Sequence, residues 1–194
     1  MSLKLITAPT VPALDLAQCK LDLRAPSGSS EDAYIARLIR TATALAEHET
    51  GRAIMEQDWE LVIDAFPAAE IELAKPPQMS VTSVKYLDAA GAEQTLPGSA
   101  YTLDADKLPG YLFPALGTSW PDTQDVANAV RVRFKCGHAT NAAQLLALAP
   151  GIADWIQVQV ATLYDNRDLV ALGKVDSGPG SYGHDLIQPY RTYL

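Results

Sequence analysis

The sequence predicts an α+β protein. Its main body is a helical bundle of two N-terminal helices plus a long C-terminal helix, with an antiparallel β module inserted between them. Three observations predict this. An apolar stripe at helical spacing runs through residues 31–52, the pattern changes to period 2 after Gly51, and a helical pattern returns after Pro150. Neither end can bury its apolar face alone, so the simplest packing returns the last helix onto the first two. The expected divisions are 1–56 for the N-terminal helices, 57–140 for the β module, 141–172 for the closing helix, and 173–194 for a flexible linker and tail.

Residues 1–12 read as an extended arm, which Pro9 and Pro12 keep out of a helix. A first helix is expected from about Ala13 to Leu23, with Leu14, Leu16, Ala17 and Leu21 as its apolar surface and Cys19 as a further candidate for it. Ala25–Ser30 is a turn-rich break. In the second helix Tyr34, Ile35, Leu38, Ile39, Ala42, Leu45 and Ala46 form the stripe, so Tyr34 and Leu38 are read as structural. Ser29 or Ser30 is placed to accept from a first-turn N–H, and Gly51 suits a left-handed helix end. Arg37, Arg40, Glu47 and His48 lie mainly off the stripe.

Trp59, Leu61 and Ile63 alternate with Asp58, Glu60 and Asp64, which marks a strand and gives Trp59 a structural role. Short strands follow at 71–73, 81–87, 93–96, 101–103 and 111–113. The cleanest alternation sets Val130, Val132 and Phe134 against Arg131, Arg133 and Lys135. Residues 142–149 read as a short turn of helix. Pro150 fits the first turn of the closing helix, whose face carries Ile152, Trp155, Ile156, Gln159, Val160 and Leu163. Trp155 is therefore read as structural. Arg167, near the end of that helix, is read as capping it or pairing with a carboxylate.

Composition narrows the function. The 194 residues are 48% hydrophobic and 20% charged, as in an ordinary folded protein, with a formal net charge of −8. That charge argues against phosphate-driven nucleic-acid binding and against an anionic membrane surface. No apolar run approaches a membrane span, and the N-terminus carries no signal-peptide core, so a cytosolic chain is expected. Cys19 and Cys136 are too few for a disulfide framework.

The chemical motifs are weak. Gly178–Gly183 matches G-x-G-x-x-G, but no strand leads into it and no βαβ unit follows, so a linker is the better reading. Cys136-Gly137-His138 is one isolated metal-type pair, and no metal or other cofactor is expected. A nucleophile elbow, a zinc-protease motif and a P-loop are all missing, and no enzymatic activity is expected. Two charged surfaces are candidate subunit interfaces: Arg37, Arg40 and Glu47 on the second helix, and Arg131, Arg133 and Lys135 on the basic strand. A solvated face that discourages edge pairing is the plain reading of the latter. Taken alone, the residues leave open a small ligand- or protein-binding module and an enzyme with a cleft between bundle and β module.

An ordered set of motifs along almost the whole chain resembles the head–tail connector, or head-completion, proteins of long-tailed bacteriophages and prophages. Leu14–Leu23 is similar to the family's opening helix. Glu31-Asp32-Ala33-Tyr34-Ile35 and the Glu49-Thr50-Gly51-Arg52 ending resemble its long helix. Pro76-Pro77, then Ser80–Tyr86 and Asp88–Gly91, resemble its "P-P…S-V-x-S-V-x-Y-x-D-x-x-G" run. Trp120-Pro121, Val130–Phe134, Gly137-His138, Leu163–Arg167 and Leu186–Arg191 continue the likeness. His138 and Asp165 depart from it, standing where an aromatic and a glutamate are common. The resemblance implies a structural subunit assembled in the host cytoplasm and resident at the virion's head–tail junction. It implies a ring under the twelve-fold portal that extends the DNA channel and docks the tail. The implied partners are further copies of the chain, the portal protein, a tail-completion or tail-terminator protein, and DNA that passes without sequence-specific binding. No membrane is implied.

Overall fold

The computed structural model describes residues 1–26, 28–166 and 185–192. The chain forms two compact units, one of Met1–Pro9 with Glu56–Gly137 and one of Thr10–Met55 with His138–Leu194.

The first unit is built of strands. Its larger sheet has the order β1 (Ser2–Thr7), β2 (Gln57–Ile63), β8 (Val130–Cys136), β4 (Gln78–Leu87), β5 (Glu93–Leu96), with every pairing antiparallel. Its smaller sheet has the order β3 (Ile71–Leu73), β7 (Gly110–Pro114), β6 (Tyr101–Asp104). Strict alternation makes β8 the central strand, because side chains two apart share a face. Val130, Val132, Phe134 and Cys136 are all fully buried. Register places Leu61 and Val84 opposite Val132 from the two sides, and both are buried with it. The sheets are tied together by Gln78. Its amide Nε2 donates to the carbonyls of Leu73 (2.6 Å) and Ala74 (3.0 Å), and its Oε1 accepts from the Gly110 N–H (2.9 Å). A buried amide so fully satisfied fixes the geometry of its neighbours. A Cβ at Gly110 would stand 2.7 Å from that Oε1, so the position has room only for glycine.

The second unit is helical. Asp15 caps α1 (Leu16–Asp22) by accepting from the Gln18 N–H at 2.8 Å. A single 3-10 turn at Ser29–Glu31 leads into α2 (Asp32–Thr50). Gly51 ends α2 at φ 71°, donating its N–H to Glu47 O (3.1 Å), as the sequence predicts. Asn141 caps α3 (Ala142–Leu148), and Gln144 reaches back to the Thr140 N–H. Pro150 opens α4 (Pro150–Asp165). Ile35, Leu38, Ile39, Ala42 and Ala46 of α2 share one core with Ile152, Trp155, Ile156 and Val160 of α4.

The C-terminal residues fold back onto this unit. Ile187 is buried in the same core. Thr192 donates its N–H to Thr50 O (2.8 Å), and Arg191 Nε donates to Glu49 O (3.1 Å), so the tail satisfies carbonyls left open at the end of α2. The tail passes directly over Gly151, where a Cβ would come within 2.6 Å of Leu186 O and 2.9 Å of the Tyr190 ring. His138 lies edge-on to Tyr190, with ring centroids 6.3 Å apart. Burial first, and the Arg52 guanidinium second, lower its pKa to about 4.

The predicted architecture is corrected in several respects. The protein is not mainly a helical bundle closed by a long C-terminal helix. The described residues hold two antiparallel sheets, of five and three strands, alongside the helices. The closing helix, at 16 residues, is shorter than α2 at 19, and α1 and α3 have seven each. The reason is that the N-terminal arm is itself a strand, and the short strands between Pro/Gly turns make a second sheet. Neither signal is strong over so few residues. Ser29 and Ser30 form the entry turn instead of capping α2, whose first turn receives no side-chain cap. Leu45 leaves the stripe at 41% exposed, and Leu21 of α1 is 72% exposed.

Two expectations follow. Leu38 is 6% exposed in the α2–α4 core. Leu38→Asp puts an unpaired charge there and costs on the order of 3 kcal/mol or more. Chemical denaturation is expected to show loss of the cooperative transition of the helical unit; an unchanged midpoint would contradict this packing. His138 is held neutral in the folded chain, so between its unfolded pKa near 6.5 and about 4 the unfolded chain binds more protons. Its contribution to stability is full above pH 6.5 and is lost as pH falls toward 4. His138→Gln is expected to flatten the fall in melting temperature across that window, and an identical fall would contradict the assignment.

Candidate functional site

The described residues present three surfaces that bear on function. The first is the outward face of β8. Its three cations are met by acids from β2, from β5 and from the residue before β2. Arg131 lies 3.6 Å from Glu93 on β5, a carboxylate that also takes Lys85 at 3.0 Å. Arg133 pairs with Glu60 at 3.1 Å. Lys135 pairs with Glu56 at 2.7 Å and with Asp58 at 3.6 Å. The bond from Glu56 holds the Lys135 ammonium above the usual lysine range. These side chains stay partly in water, so each pair contributes little to stability. Their collective effect is on charge. Lys85, Arg131, Arg133 and Lys135 are matched by Glu56, Asp58, Glu60 and Glu93 within one sheet, which leaves no cationic stripe to grip phosphates. Arg131, Arg133 and Lys135 thus stand together as expected, and the acids opposite them are the part that sequence reasoning missed.

The second surface is the solvent side of α2. Arg37, Arg40, Thr41, Ala44, Leu45 and His48 are all exposed and share one helical arc. Arg37 lies over the Tyr34 ring, 5.1 Å from its centroid, and Tyr34 itself meets Tyr164 at 6.2 Å. Glu47 is turned to internal duty, since its carboxylate accepts from the Ile54 N–H at 3.0 Å.

The third surface is a groove of about 460 Å³ within the helical unit, lined by α1, α3, α4 and the residues leading into α1. Buried Ala13, Cys19 and Ala153 form its floor, and Leu146, 55% exposed, forms an apolar wall. Exposed Asp15, Asp22 and Asp154 stand at its rim. No histidine lines the groove, and burial raises the pKa of its one thiol, Cys19, which makes that sulfur a poor nucleophile. Sequence periodicity offered no sign of this groove, because it arises where three short faces of small residues meet.

The remaining predicted residues have structural surroundings. Trp59 stands opposite Phe134 in the sheet, its indole N–H donating to Gln57 (3.0 Å) and the Lys75 ammonium 5.7 Å from its ring. Trp155 is in the helical core at 4% exposure. Arg167 and the Gly178–Gly183 motif lie outside the described residues. Among the described residues no three His, Cys, Asp or Glu side chains converge on a metal position, and no helix is long and apolar enough to cross a membrane.

No protein-family model and no curated protein matches the chain. Solved structures do. A chain in the neck of an empty gene transfer agent particle, computed with C6 symmetry, is 26% identical with a TM-score of 0.79, covering 100% of this chain and 97% of that one. A chain in the virion of the native particle is 25% identical with a TM-score of 0.78 and the same coverage. A third, in the native neck computed with C12 symmetry, is 23% identical with a TM-score of 0.77, again covering 100% and 97%; that likeness is one of fold. The resemblance read from the sequence therefore stands: over its full length this chain has the fold of neck components of a phage-like particle, as a head–tail connector protein does.

Proposed function

We propose that this chain is a structural subunit of the neck of a phage-like particle, without enzymatic activity. It forms a closed ring beneath the portal, extends the DNA channel and presents the surface on which the tail docks. The observation that carries this reading is the end-to-end likeness to chains in necks computed with C6 and C12 symmetry. The charge distribution supports it. A net charge of −8 and a basic strand neutralised within its own sheet suit a channel through which DNA must slide without being held. A ring requires two different, complementary faces on each subunit. The proposed partners are copies of itself, the portal protein, a tail-completion or tail-terminator protein, and passing DNA. Assembly in the host cytoplasm precedes residence at the head–tail junction.

The test is deletion of the gene in the particle that encodes it, followed by electron microscopy of the lysate. Filled heads and free tails that fail to join are expected, with joining restored by the chain supplied in trans. Normal numbers of joined particles in its absence would overturn the proposal.

A further inference from the structure

The helical unit carries two surfaces of opposite character, and each is incomplete alone. The groove between α1, α3 and α4 has a floor of small apolar groups and an acidic rim of Asp15, Asp22 and Asp154. The free arc of α2 carries Arg37 and Arg40 in solvent, with Ala44 and the 41%-exposed Leu45 beside them. A net-acidic chain that keeps two arginines and an apolar side chain together on one exposed helix face has built a cationic knob. Its chemistry complements the groove: exposed Ala44 and Leu45 offer apolar surface to the alanine-lined floor, and the arginines offer cations to the carboxylates at the rim. Both surfaces belong to the same compact unit, so the knob of one copy can engage the groove of the next and leave that copy's knob free. Such a head-to-tail contact is heterologous, the type from which a closed ring is built.

We infer that the α1–α3–α4 groove is the acceptor surface of the ring and that its occupant is the Arg37–Arg40–Leu45 face of α2 from a second copy of this chain. This rests on the ring reading above. It adds which surfaces meet, and it assigns the β8 cations, which are matched within their own sheet, no part in that contact.

The test is a charge swap in the full chain between two exposed positions, Arg40→Asp and Asp154→Arg, with circular dichroism to check that each variant folds. Ring formation is read by mass photometry across concentration and by neck density in particles. Each single reversal is expected to raise the concentration needed for assembly about tenfold, and the R40D/D154R pair to restore it to within about threefold of the parent. Rings that form normally with both single variants would overturn the groove contact and leave the ring reading standing. Loss without rescue in the pair would show that these surfaces do not face each other. Single variants that form rings but fail to recruit the tail would assign the groove to another protein. A parent chain that forms no ring either in solution or in particles would overturn the ring reading itself, and this inference with it.

Discussion

The antiparallel pairing of β2 with β8 is the constraint on which the rest of the chain depends. Seven consecutive residue pairs, from Gln57 opposite Cys136 to Ile63 opposite Val130, bring the first and last strands of a long inserted segment side by side. An insertion whose ends meet makes little demand on the fold that receives it. The helical unit shows the same closure from its own side. Met55 bridges to Ala139, and the His138 N–H donates to Ile54 O at 2.9 Å. Chain 10–55 and chain 138 onward can therefore share one core, in which α2 packs against α4. Neither half could bury its apolar stripe without the other.

That dependence explains which features were legible in the sequence. The α2 helix was readable because five buried apolar positions recur at helical spacing and Gly51 ends it in the left-handed region. The β8 strand was readable because burial alternates without interruption over seven residues. Both signals are local. The sheet as a whole was not readable. The β1 strand is mostly exposed along its length and sits just before a proline-rich stretch, so it looked like an arm. The β3, β6 and β7 strands were legible as short strands, but with three to five residues each they carry no sign that they pair with one another in a separate sheet. A reading weighted toward the longest helical stripe therefore overestimated the bundle.

The partners of charged residues were hidden for a related reason. Arg133 meets Glu60 across 73 positions of sequence, and Lys135 meets Glu56 across 79. Spacing carries no information at that range, and the basic strand looked like a free surface until its neighbours were known. The reverse holds for α2. Its arginines were visible as off-stripe charges, and the structure leaves Arg37 and Arg40 in solvent while drawing Glu47 into the Ile54 backbone. The tail is a third case. Leu186, Ile187 and Tyr190 were legible as an apolar and aromatic cluster. The need for a glycine at position 151 to let them dock becomes apparent only in three dimensions.

Together these features describe a protein whose described charges are sorted between its two units. Among the described residues, β8 has its cations paired with acids of its own sheet, while the helical unit carries exposed Arg37 and Arg40 on α2 and three aspartates at the rim of its groove. The central claim is that the chain is a ring-forming component of a particle neck. The most direct measurement is a symmetry-averaged cryo-electron reconstruction of the neck of the particle that carries it. The account predicts that this fold will be found as a closed ring between portal and tail, with the α2 face of each copy seated in the helical groove of the next. Particles whose neck is fully accounted for by other proteins, with this chain missing from it, would contradict the account.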